Sequence, residues 1–145
     1  MNINIHIPPV DEKPSDSDIH FLEDRINEYN IERTRLKDGK ILSYLVREED
    51  GTTIAGLYGW TWGGCCEIRS LWVRWDYRNR GYGKGLMAAA QTEAIARGCR
   101  QMILDTYSFQ APRFYQNLGF EIIATHGDYP RGHQKHYLRK ALSEA

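Results

Sequence analysis

The pattern of hydrophobic and polar positions divides the chain into short strands and helices. Residues 2–7 alternate between the two types and stop at a Pro-Pro pair, which predicts an edge strand. After several N-cap candidates at 15–18, hydrophobic residues recur at three- and four-residue spacing. This spacing predicts an amphipathic helix that carries Ile19, Leu22 and Ile26 on its apolar side.

Two strand-like runs follow, at residues 41–48 and 52–62. They are joined through Asp50 and Gly51, a pair that tolerates positive φ and predicts a β-hairpin. The two-residue period of a strand places large aromatic residues on one face of the second run. These residues are Tyr58, Trp60 and Trp62.

The next predicted strand, at 67–73, breaks the alternation. Its apolar residues Ile68, Leu71 and Val73 do not all lie two positions apart. A β-bulge between Ile68 and Leu71 would restore the phase, and bulges often open a sheet beside an active site.

The second half of the chain alternates helices and strands. The patterns predict a helix from 81 to 95, a strand at 101–106, a helix at 111–118 and a closing pair of strands at 120–125 and 134–139. Strands that flank a helix pair in parallel through a crossover, so a parallel pair is expected around the first of these helices. The order predicts one mixed α/β domain over residues 1–145 with a mostly antiparallel sheet.

Composition narrows the class of protein. The 145 residues include 41% hydrophobic and 26% charged residues, the balance of a soluble globular protein. Nineteen basic residues match nineteen acidic ones, which argues against nucleic acid as a partner. Residues 1–9 lack the features of a signal peptide and no stretch is long and apolar enough for a membrane span, so a cytoplasmic protein without membrane contact is expected.

The cysteines and histidines give weaker indications. Cys65, Cys66 and Cys99 form no CxxC motif and indicate reduced structural thiols. A catalytic cysteine would need a setting that lowers its pKa, and none is evident nearby. His133 and His136 are three apart in a predicted strand and therefore face opposite ways, so neither they nor His126 predict a metal site.

The segment between the bulged strand and the first crossover helix carries the clearest chemical pattern. It has glycines at alternate positions and three cations among eight residues: Arg78, Asn79, Arg80, Gly81, Tyr82, Gly83, Lys84 and Gly85. Glycines allow the backbone to approach a ligand, and the helix start offers unpaired N–H groups and a positive dipole end. The segment therefore predicts a site for a pyrophosphate.

Two common phosphate-binding motifs do not fit this spacing. The dinucleotide fingerprint GxGxxG would need glycine where Leu86 stands, and a P-loop would need four residues between its first glycine and the Gly-Lys pair.

The sequence Arg-x-x-Gly-x-Gly, after a strand that reads Ile-x-x-Leu-x-Val, resembles the acetyl-CoA signature of the GNAT superfamily of N-acetyltransferases. A second block supports this resemblance. Residues 111–120 are similar to the superfamily's later motif, in which a short helix ends in tyrosine, three residues and Gly-Phe; here these are Tyr115, Gly119 and Phe120. The resemblance covers nearly the whole chain in element order.

The resemblance implies a GNAT-type acyl-CoA N-acyltransferase fold and a set of acetyl-CoA contacts. The backbone at Trp72 and Val73 would face the thioester and pantetheine, and the loop from Arg78 to Gly85 would hold the pyrophosphate. Ser108 stands where the family often has asparagine, and its hydroxyl could still donate to pantetheine. No metal is implied.

The resemblance also implies catalytic roles. Glu67 matches the position of the general base in the histone-acetylating branch, and a base is useful because an amine with a pKa of about 10.4 is protonated at pH 7. Tyr115 would lie near the sulfur and protonate the leaving thiolate. A backbone N–H near Val73, freed by the bulge, would donate to the oxyanion.

The sequence therefore predicts an N-acetyltransferase that moves an acetyl group from acetyl-CoA directly to a primary amine in a ternary complex. The alternative is a noncatalytic acyl-CoA-binding module, and a more distant one is a nucleic-acid-binding domain that would use Arg69, Arg74, Arg78 and Arg80.

The sequence leaves the identity of the acceptor open. It also leaves open whether Tyr58, Trp60 and Trp62 form an acceptor cleft or part of the core. Arg131 and Lys135 are expected to be solvated. A homodimer is one option, since the superfamily often forms dimers.

Overall fold

The computed structural model describes residues 8–143, which divide into two compact units. One unit ends at Lys37 and the other begins at Asp38. The predicted strand at 2–7 lies outside the described residues. No helix within 8–143 is long and apolar enough to cross a membrane.

Within residues 8–37 the first unit has one helix, α1, at Asp16–Thr34, which confirms the predicted helix. Ser15 caps the start: its hydroxyl accepts from the Asp18 N–H at 3.2 Å, and its own N–H donates to the Asp18 carboxylate at 2.9 Å. The helix ends at Arg35, whose left-handed backbone directs its N–H to the Ile31 carbonyl at 2.7 Å. None of the residues of α1 is buried.

The described part of the second unit, residues 38–143, has six strands, two α-helices and a short 3₁₀ turn. In chain order they are β1 Lys40–Arg47, β2 Thr53–Trp62, β3 Cys65–Val73, the 3₁₀ turn Trp75–Tyr77, α2 Tyr82–Ala96, β4 Gln101–Tyr107, α3 Pro112–Asn117, β5 Glu121–Gly127 and β6 Gln134–Ala141.

The strands form one sheet in the order β1-β2-β3-β4-β6-β5. The β3–β4 pair is parallel and the other four pairs are antiparallel. This result confirms the predicted parallel pair, which α2 connects as a crossover. The predicted hairpin is also confirmed, with Gly51 at φ 88° and the Glu48 N–H donating to the Thr52 carbonyl at 2.9 Å.

One face of the sheet packs against α2, and we call it the helix face. Leu86, Met87, Ala90 and Ala94 of α2 are buried in a single cluster with alternate strand residues. The strand members of the cluster include Leu42, Leu57, Cys66, Ile68, Met102, Leu104 and Leu138. Each fully buried Leu or Met side chain contributes roughly 1.5–3 kcal/mol relative to exposure.

The intervening strand residues lie on the other side of the sheet, which we call the opposite face. Glu67 pairs with Trp60 on β2 and with Ile103 on β4, so these three side chains point the same way. Farther along β4, the residue pairs on this face are Asp105 with Tyr137 and Tyr107 with Lys135.

Candidate functional site

A bulge in β3 opens the sheet. Tyr58 pairs with Ser70 and Gly59 pairs with Ile68, which leaves Arg69 as an extra residue. This confirms the bulge that the spacing of Ile68 and Leu71 predicts. Gly59 permits it, because a Cβ there would clash with the carbonyl oxygen of Glu67.

Strands β3 and β4 separate just after the bulge. Their parallel pairing runs from Cys65 with Gln101 to Ile68 with Leu104 and goes no farther. Residues 71–73 of β3 and 105–107 of β4 therefore border an opening in the sheet, which we call the cleft. The exposed backbone groups along the cleft can hydrogen-bond a ligand that enters between the strands.

The backbone of Val73 is directed into the cleft. The Arg74 N–H donates to the Ile54 carbonyl at 2.8 Å, which marks Ile54 and Arg74 as a hydrogen-bonded pair of the β2–β3 ladder. Because such pairs alternate with non-hydrogen-bonded pairs, the N–H and carbonyl of Val73 point away from β2. The same alternation directs the amide of Trp72 toward β2, while its side chain is half exposed.

The loop between β3 and α2 has the backbone of an anion-binding turn. Asn79 and Gly81 both adopt left-handed conformations, with φ of 61° and 88°. The first helical bond runs from the Gly85 N–H to the Gly81 carbonyl at 2.9 Å, so the N–H groups of Tyr82, Gly83 and Lys84 lack helical partners. These groups stand at the positive end of the α2 dipole, where a phosphate is favoured.

The loop is tied to the end of β3 and carries cations. The Arg78 Nε donates to the Val73 carbonyl at 3.0 Å, and the Arg80 guanidinium lies 5.2 Å from the ring centroid of Tyr77. No carboxylate among residues 8–143 lies within ion-pair distance of Arg78, Arg80 or Lys84. A cavity of about 440 Å³ adjoins this loop and is lined by Val46, Arg80, Gly81, Tyr82, Gly85 and Leu86.

Arg74 belongs instead to a structural network at the entry of the loop. Its guanidinium binds Asp76 at 2.6 Å and Glu48 at 3.3 Å, and the Tyr77 hydroxyl donates to Glu48 at 2.5 Å. The hydrogen bond from Arg74 lowers the pKa of Asp76. The network connects the β1–β2 turn to the 3₁₀ turn, so it positions the loop rather than presenting Arg74 to a ligand.

Tyr115 lies in α3, on the helix face of the sheet. Pro112 starts this helix, and Gly119, at φ 95°, follows its end. The Tyr115 side chain is buried, with its ring 5.0 Å from that of Phe114 and 6.0 Å from that of Phe120. Burial raises the pKa of Tyr115 to about 12, so the phenol keeps its proton at neutral pH and can donate it.

Close packing brings α3 to the loop and to the end of β3. A Cβ at Gly83 would lie 3.3 Å from Phe114 Cζ and 3.9 Å from Val73 Cγ2. Phe114, the residue before Tyr115, therefore packs against the loop next to Val73. The structure thus brings Val73, the loop and Phe114 together, and Tyr115 follows Phe114 in α3.

Glu67 lies on the opposite face of the sheet. It is one residue before Ile68, where the pairing of β3 with β4 ends at the cleft. Its side chain is half-buried, and its carboxylate forms no hydrogen bond or ion pair within the described part of the chain. The carboxylate can therefore accept a proton directly or through water. Glu67 and Tyr115 lie on different faces of the sheet.

Ser108 ends the β4–β6 ladder. Its N–H donates to the Gln134 carbonyl at 2.8 Å, and its hydroxyl oxygen accepts from the Gln134 N–H at 3.0 Å. The hydroxyl hydrogen is left available for a further acceptor. Ser108 follows directly on residues 105–107, which border the cleft.

The three cysteines are free thiols, as the sequence predicts, and burial raises the pKa of each. Within residues 8–143, no group of three or more His, Cys, Asp or Glu side chains is placed to hold a metal ion. His136 instead shares a hydrogen bond of 2.9 Å with the Thr125 hydroxyl.

The aromatic residues of β2 stand outside the core. Tyr58 is exposed and contacts Trp60 edge to face, with ring centroids 6.0 Å apart. Trp60 and Trp62 are half-buried, and none of the three belongs to the buried cluster. Of the two alternatives that the sequence leaves open, their position on the opposite face favours a wall for a bound molecule over core packing.

Lys135 departs from the expectation of a solvated charge. Its ammonium lies 5.4–5.7 Å from the ring centroids of Tyr107, Tyr129 and Tyr137, and its side chain is only 19% exposed. Sequence patterns do not predict this cluster, because its members come from two strands and a loop. The two-residue period places Tyr107 on the same face as Asp105, but only the β4–β6 register brings Lys135 beside it.

Comparison with known proteins identifies relatives across most of the chain. The model of the family described as Acetyltransferase (GNAT) family matches residues 8–120. The chain is 40% identical to blasticidin-S acetyltransferase of Streptomyces morookaense over 65% of its own length and 70% of that protein. It is 31% identical to an acetyltransferase of Agrobacterium fabrum over 82% of its own length and 87% of that protein.

A solved structure agrees in fold. The crystal structure of an acetyltransferase from Bacillus cereus superposes with a TM-score of 0.76 at 29% identity, covering 92% of this chain and 98% of that one. The shared fold is the mixed α/β architecture described above.

Proposed function

The chain belongs to the GNAT family of acetyltransferases, and from this premise we propose that it transfers an acetyl group from acetyl-CoA directly to a primary amine in a ternary complex. The observation that carries the proposal is the cleft between β3 and β4. Beside this opening lie the glycine-rich loop before α2 and the N–H of Val73 that points away from β2, with half-buried Glu67 among the last paired residues of β3 and buried Tyr115 in α3.

Acetyl-CoA fits the residues at the cleft. Its pyrophosphate would be held by the N–H groups at the start of α2 and by the cations Arg78, Arg80 and Lys84. Its pantetheine arm would hydrogen-bond to the backbone of Leu71 and Val73, since the Trp72 amide is directed toward β2, and Ser108 could donate to it from the far side. Bound there, acetyl-CoA supplies the activated acyl group.

Glu67 is proposed as the general base. It would accept a proton from the ammonium of the acceptor, directly or through water, and so release the amine lone pair for attack on the thioester carbonyl. Its position on the opposite face supports this role, because the acceptor can then approach from the side away from the helices.

Val73 and Tyr115 are proposed to complete the reaction. As the amine nitrogen bonds to the carbonyl carbon, the Val73 N–H would donate to the developing oxyanion. When the carbon–sulfur bond breaks, Tyr115 would donate its proton to the thiolate. The nitrogen, which becomes the neutral amide, would return a proton to the Tyr115 phenolate through water, and the proton held by Glu67 would pass to solvent. Burial raises the pKa of Tyr115 to about 12, so the phenol carries its proton before the reaction begins.

Release of thiol from acetyl-CoA across a panel of amines tests the proposal. Turnover is expected with at least one class of amine. Glu67→Gln and Tyr115→Phe should each lower kcat by about 100-fold, the usual scale of general acid–base catalysis, with little change in the KM for acetyl-CoA.

Two matched controls separate chemistry from folding. Glu121→Gln changes an exposed carboxylate on β5, and Tyr44→Phe removes a hydroxyl from a partly buried tyrosine of β1. Both should keep the wild-type kcat. Binding of CoA without thiol release on any amine would refute the proposed function and favour the noncatalytic module.

A further inference from the structure

We propose that the three tyrosines around Lys135 form a binding subsite for a second cationic group of the acceptor, and that the Lys135 ammonium occupies this subsite when no acceptor is present. The subsite, which we call the tyrosine cage, consists of Tyr107, Tyr129 and Tyr137. The inference rests on the proposed function, since it assigns the cage to the acceptor of that reaction.

The geometry of the tyrosine cage is that of a cation site. The Lys135 Nζ lies 5.7 Å from the ring centroids of Tyr107 and Tyr129 and 5.4 Å from that of Tyr137. All three distances fall within the range of about 6 Å over which an aromatic face attracts a cation. The Asp105 carboxylate, 3.9 Å from the same Nζ, adds a negative charge at the base of the cage.

The walls of the cage are held in place by contacts outside it. Tyr107 stacks on Phe109 with ring centroids 5.4 Å apart and 5° between the planes, and His133 packs edge to face on Phe109. The backbone of Tyr129 is held by its N–H, which donates to the His133 carbonyl at 3.1 Å, and its ring packs edge to face on that of His126 at 5.6 Å. The rings are thus arranged before a ligand arrives, which lowers the cost of binding.

The bond between Lys135 and the cage is weak enough for exchange. Its ammonium forms no hydrogen bond within the described residues, and its ion pair with Asp105 is at the limit of ion-pair distance. Tyr129 and Tyr137 are 46% and 40% exposed, so a ligand can reach their faces from solvent. A long lysine side chain can move into water while a ligand ammonium takes its place.

The position of the cage relates it to the acceptor. Tyr107 borders the cleft and lies on the same face as Glu67. Glu67 pairs with Ile103, and Tyr107 stands four residues farther along β4, which corresponds to about 13 Å along the strand. An extended acceptor could therefore place one amine at the thioester and a second cation in the cage. The acceptor class that fits is an amine with a second ammonium or guanidinium group.

Binding and kinetic measurements with matched ligands test this inference. A long-chain α,ω-diamine is compared with the n-alkylamine of the same carbon number, by calorimetry in the presence of CoA and by thiol release with acetyl-CoA. Wild type, Lys135→Ala and Lys135→Ala combined with Tyr137→Leu are measured. Lys40→Ala, which truncates a lysine at an exposed position of β1, is the control.

Removal of Lys135 should free the cage. Lys135→Ala is expected to bind the diamine several-fold more tightly than wild type and to leave the monoamine unchanged. The added Tyr137→Leu substitution should reduce the preference for the diamine over the monoamine by about 2- to 5-fold. This is the contribution expected of one cation–π contact. In turnover the effect should fall on the KM of the diamine, with kcat unchanged, and Lys40→Ala should match wild type.

Three outcomes would overturn the inference. Equal affinity for diamine and monoamine in Lys135→Ala would show that the cage only stabilises the fold. Amines that carry a carboxylate are measured as well. If Lys135→Ala weakens the binding of acceptors, and weakens the binding of these carboxylate-bearing amines most, then Lys135 recognises an anion. If the preference for the diamine over the monoamine is unchanged by Tyr137→Leu, the rings do not contribute to binding. If the diamine preference holds by calorimetry while no amine is acetylated, the proposed function fails and the cation subsite stands.

Discussion

Replacement of Gly59 by alanine should damage both the stability of the sheet and the reaction. Gly59 stands opposite the bulge in β3, and a Cβ there would clash with the Glu67 carbonyl oxygen. The same Cβ would lie 3.1 Å from the Glu67 carbonyl carbon and 3.1 Å from Ile68 Cα, closer than the roughly 3.5–4.0 Å of an ordinary carbon–carbon contact. These are backbone atoms, so no side-chain rotation relieves the overlap.

The expected size of the effect follows from this crowding. An added methyl group in a packed region costs about 1–3 kcal/mol of unfolding free energy when the backbone must shift. The shift moves the peptide of Glu67, which also carries the proposed base. Because a displacement of roughly 1 Å can lower a rate by about 100-fold, kcat should fall far more than the loss of folded protein explains.

Urea unfolding and thiol release measure the two effects separately. Gly127→Ala is the control, because Gly127 lies in β5, where an added methyl group would meet no atom within 4 Å and the backbone φ is not positive. Gly59→Ala should unfold at lower urea than Gly127→Ala and should turn over far more slowly under conditions where both are folded. Equal stability and equal rates for the two variants would refute the account of the bulge.

Two further predictions concern the loop and the core. Arg78→Ala should raise the KM for acetyl-CoA several-fold, because it removes a loop cation and the bond of 3.0 Å to the Val73 carbonyl; initial rates measure this, and an unchanged KM would contradict it. Burial raises the pKa of the Cys66 thiol from 9.0 to about 12, so its contribution to stability is complete below pH 9 and is lost as the pH rises toward 12. The free energy of unfolding of wild type should therefore fall over this range, and Cys66→Ala should show a shallower fall; parallel curves would be the contrary result.

Local sequence patterns predicted most of the fold. Asp50-Gly51 between two β-rich runs specifies the hairpin, and the irregular spacing of Ile68 and Leu71 locates the bulge. The parallel β3–β4 pair follows from the helix between those strands. In each case the decisive information lies within a few residues or in the handedness of a crossover.

Features that depend on distant pairing were not predictable in the same way. The glycine at position 59 indicates a close approach in a strand, but only the β2–β3 register shows that the approaching atom belongs to Glu67. The tyrosine cage requires the β4–β6 register and the conformation of the loop that carries Tyr129. A lysine beside a turn has the pattern of a surface charge, and its enclosure by rings appears only in three dimensions.

The loop that would hold the pyrophosphate is an intermediate case. Its alternate glycines and its cations were evident in the sequence, and Gly81 does adopt a left-handed backbone. The sequence did not show which of these cations are available to bind a ligand. Arg74 lies only four residues before Arg78, yet it is bound by Asp76 and Glu48.

A single-turnover experiment with acetyl-CoA labelled in the acetyl group tests the central claim most directly. The protein is mixed with the labelled thioester and an accepted amine, quenched at short times, and the label is followed in the acceptor, the protein and free acetate. Direct transfer predicts that label passes from the thioester to the amide of the acceptor with no labelled protein at any time. Label that first appears on the protein, or that leaves only as acetate, would contradict it.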